Sequence, residues 1–217
     1  MIITEQKPLQ EIIDSLKNQA KVFLIGCGEC ATTAKTGGEP ELLRMKEQLE
    51  AQGKVVLGMC IPSAPCVAAQ IKTELAKNMK SLREADAVLV LACGLGTQSV
   101  KENNRLGQVV LPGCNTLFGA VVDSQGSFIE KCSMCGECVL EATAGICPIT
   151  LCAKGLLNGP CGGMNKGKCE VDKDKDCAWV LIYNELDKKK KLDTLRIIRE
   201  PKDFAKTTRP RKIIAAK

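Results

Sequence analysis

The chain contains no histidine. Imidazole is therefore missing both as a metal ligand and as the usual general base near neutral pH, and base work would fall to a carboxylate or a lysine. No pair of such groups is singled out by its setting, and no nucleophilic motif stands out. Aromatics are scarce as well, with one Trp, one Tyr and four Phe. That removes the stacking platforms on which single-stranded nucleic acids are held, and no nucleic-acid partner is expected. No apolar run approaches the ~18 residues needed to cross a bilayer, so no membrane insertion is expected either. The N-terminus lacks the basic stretch, apolar run and small-residue cleavage site of a secretory leader, which predicts a cytoplasmic protein. The turns Cys27-Gly-Glu-Cys30 and Cys93-Gly-Leu-Gly96 give neither G-x-G-x-x-G nor a Walker lysine, which argues against a nucleotide site.

Positive charge is plentiful but unevenly placed. Residues 188–217 carry 12 Lys and Arg against Asp193, Glu200 and Asp203, a net of +9, so the remainder of this +6 chain is close to −3. A uniformly basic nucleic-acid binder would not be built this way. Such a charge run reads as solvated surface, or as an arm docking along a partner subunit.

Cysteine is abundant, at 14 of 217 residues. In a reducing compartment cysteines bind metals or do redox work more often than they form disulfides. The first 125 residues resemble a core-bearing domain that needs no staples, which argues against a secreted disulfide scaffold. They repeat one unit: an apolar β-branched run, a cysteine, then a helical pattern. The runs 21–26, 54–59, 87–92 and 108–113 lead into Cys27, Cys60, Cys93 and Cys114. Short, nearly continuous apolar runs are what strands buried on both faces look like. Helical patterns are expected near 8–19, 40–52, 65–79 and 97–104. The alternation predicts an α/β fold, with a Rossmann-like or flavodoxin-like parallel-sheet domain over 1–125. Beyond Gly126 the β-branched runs stop and Gly, Cys and Lys dominate. Residues 126–187 therefore read as a small cysteine-rich, metal-organised domain, closed by an apolar helix over 178–186 and followed by the basic C-terminal extension 188–217.

Parallel strands end on one edge of their sheet, and ligands sit beyond that edge. The cysteines at the strand ends should therefore converge on one rim, where Cys30 completes a C-x2-C pair with Cys27 and Cys66 opens the helix after Pro65. Cys27, Cys30, Cys66 and Cys93 are the expected ligands there, with Cys60 and Cys114 as spares. Four thiolates suit either zinc or a 4Fe–4S cluster, and the spacing alone does not choose.

The second cysteine group is denser. Cys132, Cys135 and Cys138 form a C-x2-C-x2-C triplet, and Cys147 directly precedes Pro148. Bacterial-type ferredoxins end their run in the same Cys-Pro, after a gap of three residues where this chain has eight. With Cys152, Cys161, Cys169 and Cys177 the group could supply one or two 4Fe–4S clusters. The simplest partition takes the first four and the last four together, and a swapped partition is equally compatible with ferredoxin practice. Zinc ribbons throughout, or one cluster plus one zinc, are the structural alternatives. A dithiol exchange site at Cys27 and Cys30 is a further rival.

The segments Gly145-Ile-Cys-Pro148, Cys152-Ala-Lys-Gly-Leu-Leu-Asn-Gly-Pro-Cys-Gly-Gly163, Gly167-Lys-Cys-Glu-Val171 and Cys177-Ala-Trp179 resemble the cysteine-rich methylenetetrahydrofolate reductase C-terminal domain family. The whole chain is similar to the small iron–sulfur subunit of the two-subunit reductases of acetogenic bacteria. The resemblance implies a hetero-oligomer with a flavin-containing TIM-barrel subunit, which would carry the FAD or FMN and reduce methylenetetrahydrofolate in the Wood–Ljungdahl pathway. It also implies an upstream electron-donor complex. This chain would then be an accessory redox subunit and not an enzyme by itself. The competing readings are a zinc-stapled docking subunit and a thiol–disulfide protein using Cys27 and Cys30.

Overall fold

A computed structural model describes residues 1–214. Positions 215–217, the end of the expected basic extension, lie outside the described residues. The chain forms two compact units, Met1–Phe118 and Gly119–Lys217.

In the first unit, β2 (Lys21–Ile25), β3 (Val55–Cys60), β4 (Ala87–Val90) and β5 (Val109–Pro112) form a parallel sheet of order β3-β2-β4-β5. All three pairings are parallel. The period of two along a strand sends alternate residues to opposite faces, and both faces are covered. Phe23, Ile25, Val88 and Val90 pack with Ile71, Leu75, Leu82 and Val100. These come from α4 (Ala68–Lys77), α5 (Met79–Glu84) and α6 (Gly94–Asn103). Val22, Leu24, Ala87 and Leu89 pack on the other side with Ile12, Leu42, Met45 and Leu49, from α1 (Leu9–Ser15) and α3 (Glu39–Ala51). The register of β2 on β3 slips between Val22 and Phe23. Gly58 lies at that slip, where a Cβ would come within 2.9 Å of the Phe23 ring.

The fold class expected from the strand–helix alternation is therefore present, in its flavodoxin-like strand order. The chain crosses from β2 to β3 on one face, then returns over β2 to β4 on the other. The point where the winding reverses lies between β2 and β4.

Several boundaries differ from the sequence reading. The helix expected from Pro65 starts at Ala68, because Ala64–Val67 closes a turn through the Val67 N–H and the Ala64 carbonyl (3.0 Å). Proline favours the second position of such a turn, so Cys66 lies in the turn rather than opening the helix. The pattern over 65–79 is broken at Asn78 into α4 and α5. Cys114 does not end a strand. Gly113 interrupts the chain after β5, and Cys114 begins β6 (Cys114–Val122). β6 lies in the middle of a second sheet with β1 (Ile2–Gln6) and β7 (Phe128–Glu130). β7 pairs with it antiparallel through Ala120–Glu130, Val121–Ile129 and Val122–Phe128.

The second unit has little regular structure. After β7 come a 3-10 turn (Leu140–Ala142), α7 (Pro148–Leu151) and α8 (Ala178–Lys188). Among the described residues its main buried apolar cluster is Cys177, Trp179, Ile182 and Leu186, with half-buried neighbours such as Ile146, Cys152 and Leu156. The Trp179 indole N–H donates to the Leu156 carbonyl at 3.0 Å. A core this small covers little apolar surface at roughly 25 cal/mol per Å².

Among the described residues no helix is long and apolar enough to cross a membrane.

Candidate metal centres

The crevice at a winding reversal is where open parallel sheets hold ligands. Cys27 follows β2 across Gly26, and Cys93 follows β4 and caps α6. The two ends are locked side by side. Leu91 N–H donates to Ile25 O (2.7 Å), Gly26 N–H to Cys60 O (2.9 Å) and Cys27 N–H to Gly37 O (3.0 Å). A Cβ on Gly37 would overlap the Leu91 carbonyl, so glycine is what lets these backbones meet. Cys30 opens the short α2 (Cys30–Thr33), and its sulfur accepts the Ile2 N–H at 3.5 Å. β1 is tied to the same loop by the Gln6 amide, which donates to Thr36 O at 2.9 Å.

Cys66 feels the other three sulfurs of this rim. The Cys66 thiol is pushed up chiefly by burial and next by Cys93, with Cys27 and Cys30 adding to the effect. Like charges gathered in one place disfavour ionisation; a soft cation among them reverses that balance, because thiolate is the ligand form. Cys60 and Cys114 behave differently. Burial first, then Glu74, pushes Cys60 up to about 12. Burial first, then Cys93, pushes Cys114 up to about 12. Cys60 packs among Ile71, Leu75 and Val88, and Cys114 among Leu42, Leu89 and Leu91. The Cys114 thiol donates to Thr36 O at 3.6 Å. Both are protonated members of the core at neutral pH.

In the second unit the eight cysteines divide in sequence order. Cys132, Cys135, Cys138 and Cys147 line one cavity of about 220 Å³, together with Met134, Glu137 and Lys202. Met134 and Gly136 take left-handed backbone conformations, with φ of 54° and 79°. That turns the loop around its sulfurs, and the Met134 N–H donates to Cys132 Sγ at 3.3 Å. The Cys135 thiol is held below its usual range, first by a hydrogen bond from the Lys202 ammonium and then by the Glu137 backbone.

Cys152, Cys161, Cys169 and Cys177 line a second, narrower cavity of about 20 Å³ with Met164, Glu170 and Trp179. Anything larger than a single ion there requires the side chains to turn. The Cys169 thiol is lowered by the backbone N–H groups of Asp172 and then Val171, with Ala153 contributing less. Cys161 Sγ donates to Glu170 at 3.1 Å, and Lys154 pairs with the same carboxylate at 2.6 Å. Cys177 caps α8 and its N–H donates to Gly167 O at 2.7 Å.

Among the described residues no three cysteine, aspartate or glutamate side chains already converge closely enough to hold a metal ion. The thiols of the two C-terminal quartets are gathered around shared space rather than closed on a point. The donor set nevertheless fits a soft metal. Each group offers four sulfurs, and backbone N–H groups reach sulfur in both cavities of the second unit, as iron–sulfur and zinc–thiolate sites require.

Two residues escaped the sequence reading, Glu137 and Lys202. Glu137 sits inside the cysteine triplet, and Lys202 belongs to a charge run that reads as solvated. Their contact spans 65 positions, and nothing local announces it.

Comparison with known families places these observations beside one match. Residues 111–205 fit the family described as methylene-tetrahydrofolate reductase C terminal. That stretch takes in all eight C-terminal cysteines, Glu137 and Lys202. No curated protein matches the chain.

Proposed function

We propose that this chain is the electron-transfer accessory subunit of a methylenetetrahydrofolate reductase. In this reading it passes electrons to a flavin-bearing TIM-barrel partner that reduces 5,10-methylenetetrahydrofolate to 5-methyltetrahydrofolate, as in the Wood–Ljungdahl pathway, in the cytoplasm. The observation that carries the proposal is the grouping of the eight C-terminal cysteines into two cavities of four inside the segment that matches the reductase family. Cys132, Cys135, Cys138 and Cys147 would hold one 4Fe–4S cluster, and Cys152, Cys161, Cys169 and Cys177 a second. Cys27, Cys30, Cys66 and Cys93 would hold a further cluster or a zinc ion. When bound, such clusters supply one-electron chemistry that the side chains cannot.

The chain's own residues explain the rest of the role. The cysteines fix the metal positions, while backbone N–H groups at Cys132 and Cys169 stabilise sulfur charge. An upstream electron-donor complex would feed these centres. A zinc-stapled docking subunit is the rival favoured by the narrow Cys152–Cys177 cavity, which suits one ion as it stands. A dithiol exchanger at Cys27 and Cys30 is disfavoured by the burial of Cys27, at 6% exposure, since the attacking thiolate must be reachable.

The test is anaerobic co-expression with a flavin-bearing reductase subunit. The reading expects a stable complex in which electrons loaded on this chain bleach the partner's flavin. Flavin that stays oxidised beside a fully reduced chain refutes it.

A further inference from the structure

The basic extension folds back onto the cysteine triplet. Glu137, between Cys135 and Cys138, commits both carboxylate oxygens to it. The Asp203 N–H donates to Oε2 at 3.0 Å, and Lys206 Nζ pairs with Oε1 at 3.1 Å. Arg211 then donates to the Lys206 carbonyl at 3.1 Å. This strap delivers Lys202, whose ammonium donates to the Glu137 carbonyl and lines the same cavity as Cys132, Cys135, Cys138 and Cys147. Lys202 is half-buried, whereas Lys206 and Arg211 are exposed.

We propose that Lys202 is a positioning residue for redox chemistry: held by the Glu137 strap, its ammonium keeps a fixed positive charge against the Cys132/Cys135/Cys138/Cys147 site and makes that site easier to reduce. The inference rests on the reading of this quartet as the holder of a one-electron cluster. No bond forms or breaks at Lys202. One electron, from a one-electron donor, adds one negative charge at the site, and the nearby cation favours that state over the oxidised one. Screening is weaker in a partly enclosed cavity than at an open surface, and charge near a cluster is one of the levers that set its potential.

The test uses the full chain, isolated anaerobically, with EPR-monitored dithionite titrations. The relevant signal is the one lost in Cys135→Ser. Lys202→Gln is expected to lower its midpoint by about tenfold in the reduction equilibrium, ~59 mV for one electron. Lys202→Arg keeps the charge and should restore the wild-type value. A Lys202→Gln protein with unchanged iron, sulfide and midpoint overturns the proposal while leaving the cluster reading intact. A Lys202→Gln protein depleted of iron also overturns it, because Lys202 is then an assembly residue. A wild-type chain with no signal dependent on Cys135 overturns the cluster reading and this inference together.

Discussion

Cys27 and Cys93 follow neighbouring parallel strands at the one place in the first sheet where the winding reverses. A 2.7 Å hydrogen bond from the Leu91 N–H to the Ile25 carbonyl ties those strand ends together, so the two cysteines flank the crevice where open parallel sheets hold ligands. Cys66 reaches it from the turn after β3, and Cys30 from the loop that β1 ties down. Replacing Cys93 with Ser is expected to remove the rim metal alone, leaving the metal of the second unit in place. Iron and zinc content per chain, compared with Cys135→Ser, reads this directly. Equal loss from both regions would contradict two independent centres.

Among the described residues the main apolar cluster of the second unit has four buried members, so bound metal should carry much of its order. Trp179 lies in that cluster and is the only tryptophan in the chain, which makes it a built-in reporter. Stripping the metal with a chelator is expected to shift Trp179 emission to the red while far-UV circular dichroism from the first unit persists. An emission spectrum indifferent to chelation would mean that packing alone holds the unit.

Ile182 is fully buried in the same cluster. Its replacement by Ala removes three carbons from a site with few neighbours to collapse around it, a change that costs about 2–4 kcal/mol in ordinary cores. In the metal-loaded protein, Ile182→Ala should therefore lower the Trp179-detected denaturation midpoint. A midpoint unchanged from wild type would show that this helix does not anchor the unit.

Alkaline pH should weaken the first unit through Cys60. In the unfolded chain its thiol ionises near the ordinary value of 9.0, whereas in the fold it keeps its proton to about 12. The unfolded state thus binds fewer protons between those values. The stabilisation is complete below pH 9 and declines as pH rises toward 12, by up to ~1.4 kcal/mol per pH unit. Urea melts at pH 8, 9 and 10 should converge for wild type and Cys60→Ala as pH rises. Parallel pH profiles would contradict a protonated, buried Cys60.

Much of the first unit was legible because its strands are buried on both faces and read as unbroken apolar runs, as in Ala87–Val90. The exceptions have local causes. Pro65 reads as a helix start but closes a turn, and Asn78 splits a pattern that periodicity treats as continuous. β1, β6 and β7 carry more exposed residues, so no such run marks them. The spacing of the eight C-terminal cysteines matches their division between two cavities, four to each. The roles of Cys60 and Cys114 were not legible, since a buried thiol and a rim ligand look alike until the opposing face is known. The strap from Lys202 to Glu137 was illegible for a different reason: it is a long-range contact between two charged residues whose local sequence predicts solvent.

Redox metal in the second unit is what the proposed electron-transfer role most requires. Iron, zinc and acid-labile sulfide, measured on the anaerobically purified chain alongside its EPR spectrum after dithionite, test that most directly. An electron-transfer subunit should carry iron and sulfide in near-equal amounts, at least four of each per chain by the cysteine count, with a signal that appears on reduction. Near-stoichiometric zinc without sulfide, in a colourless and EPR-silent protein, would contradict it.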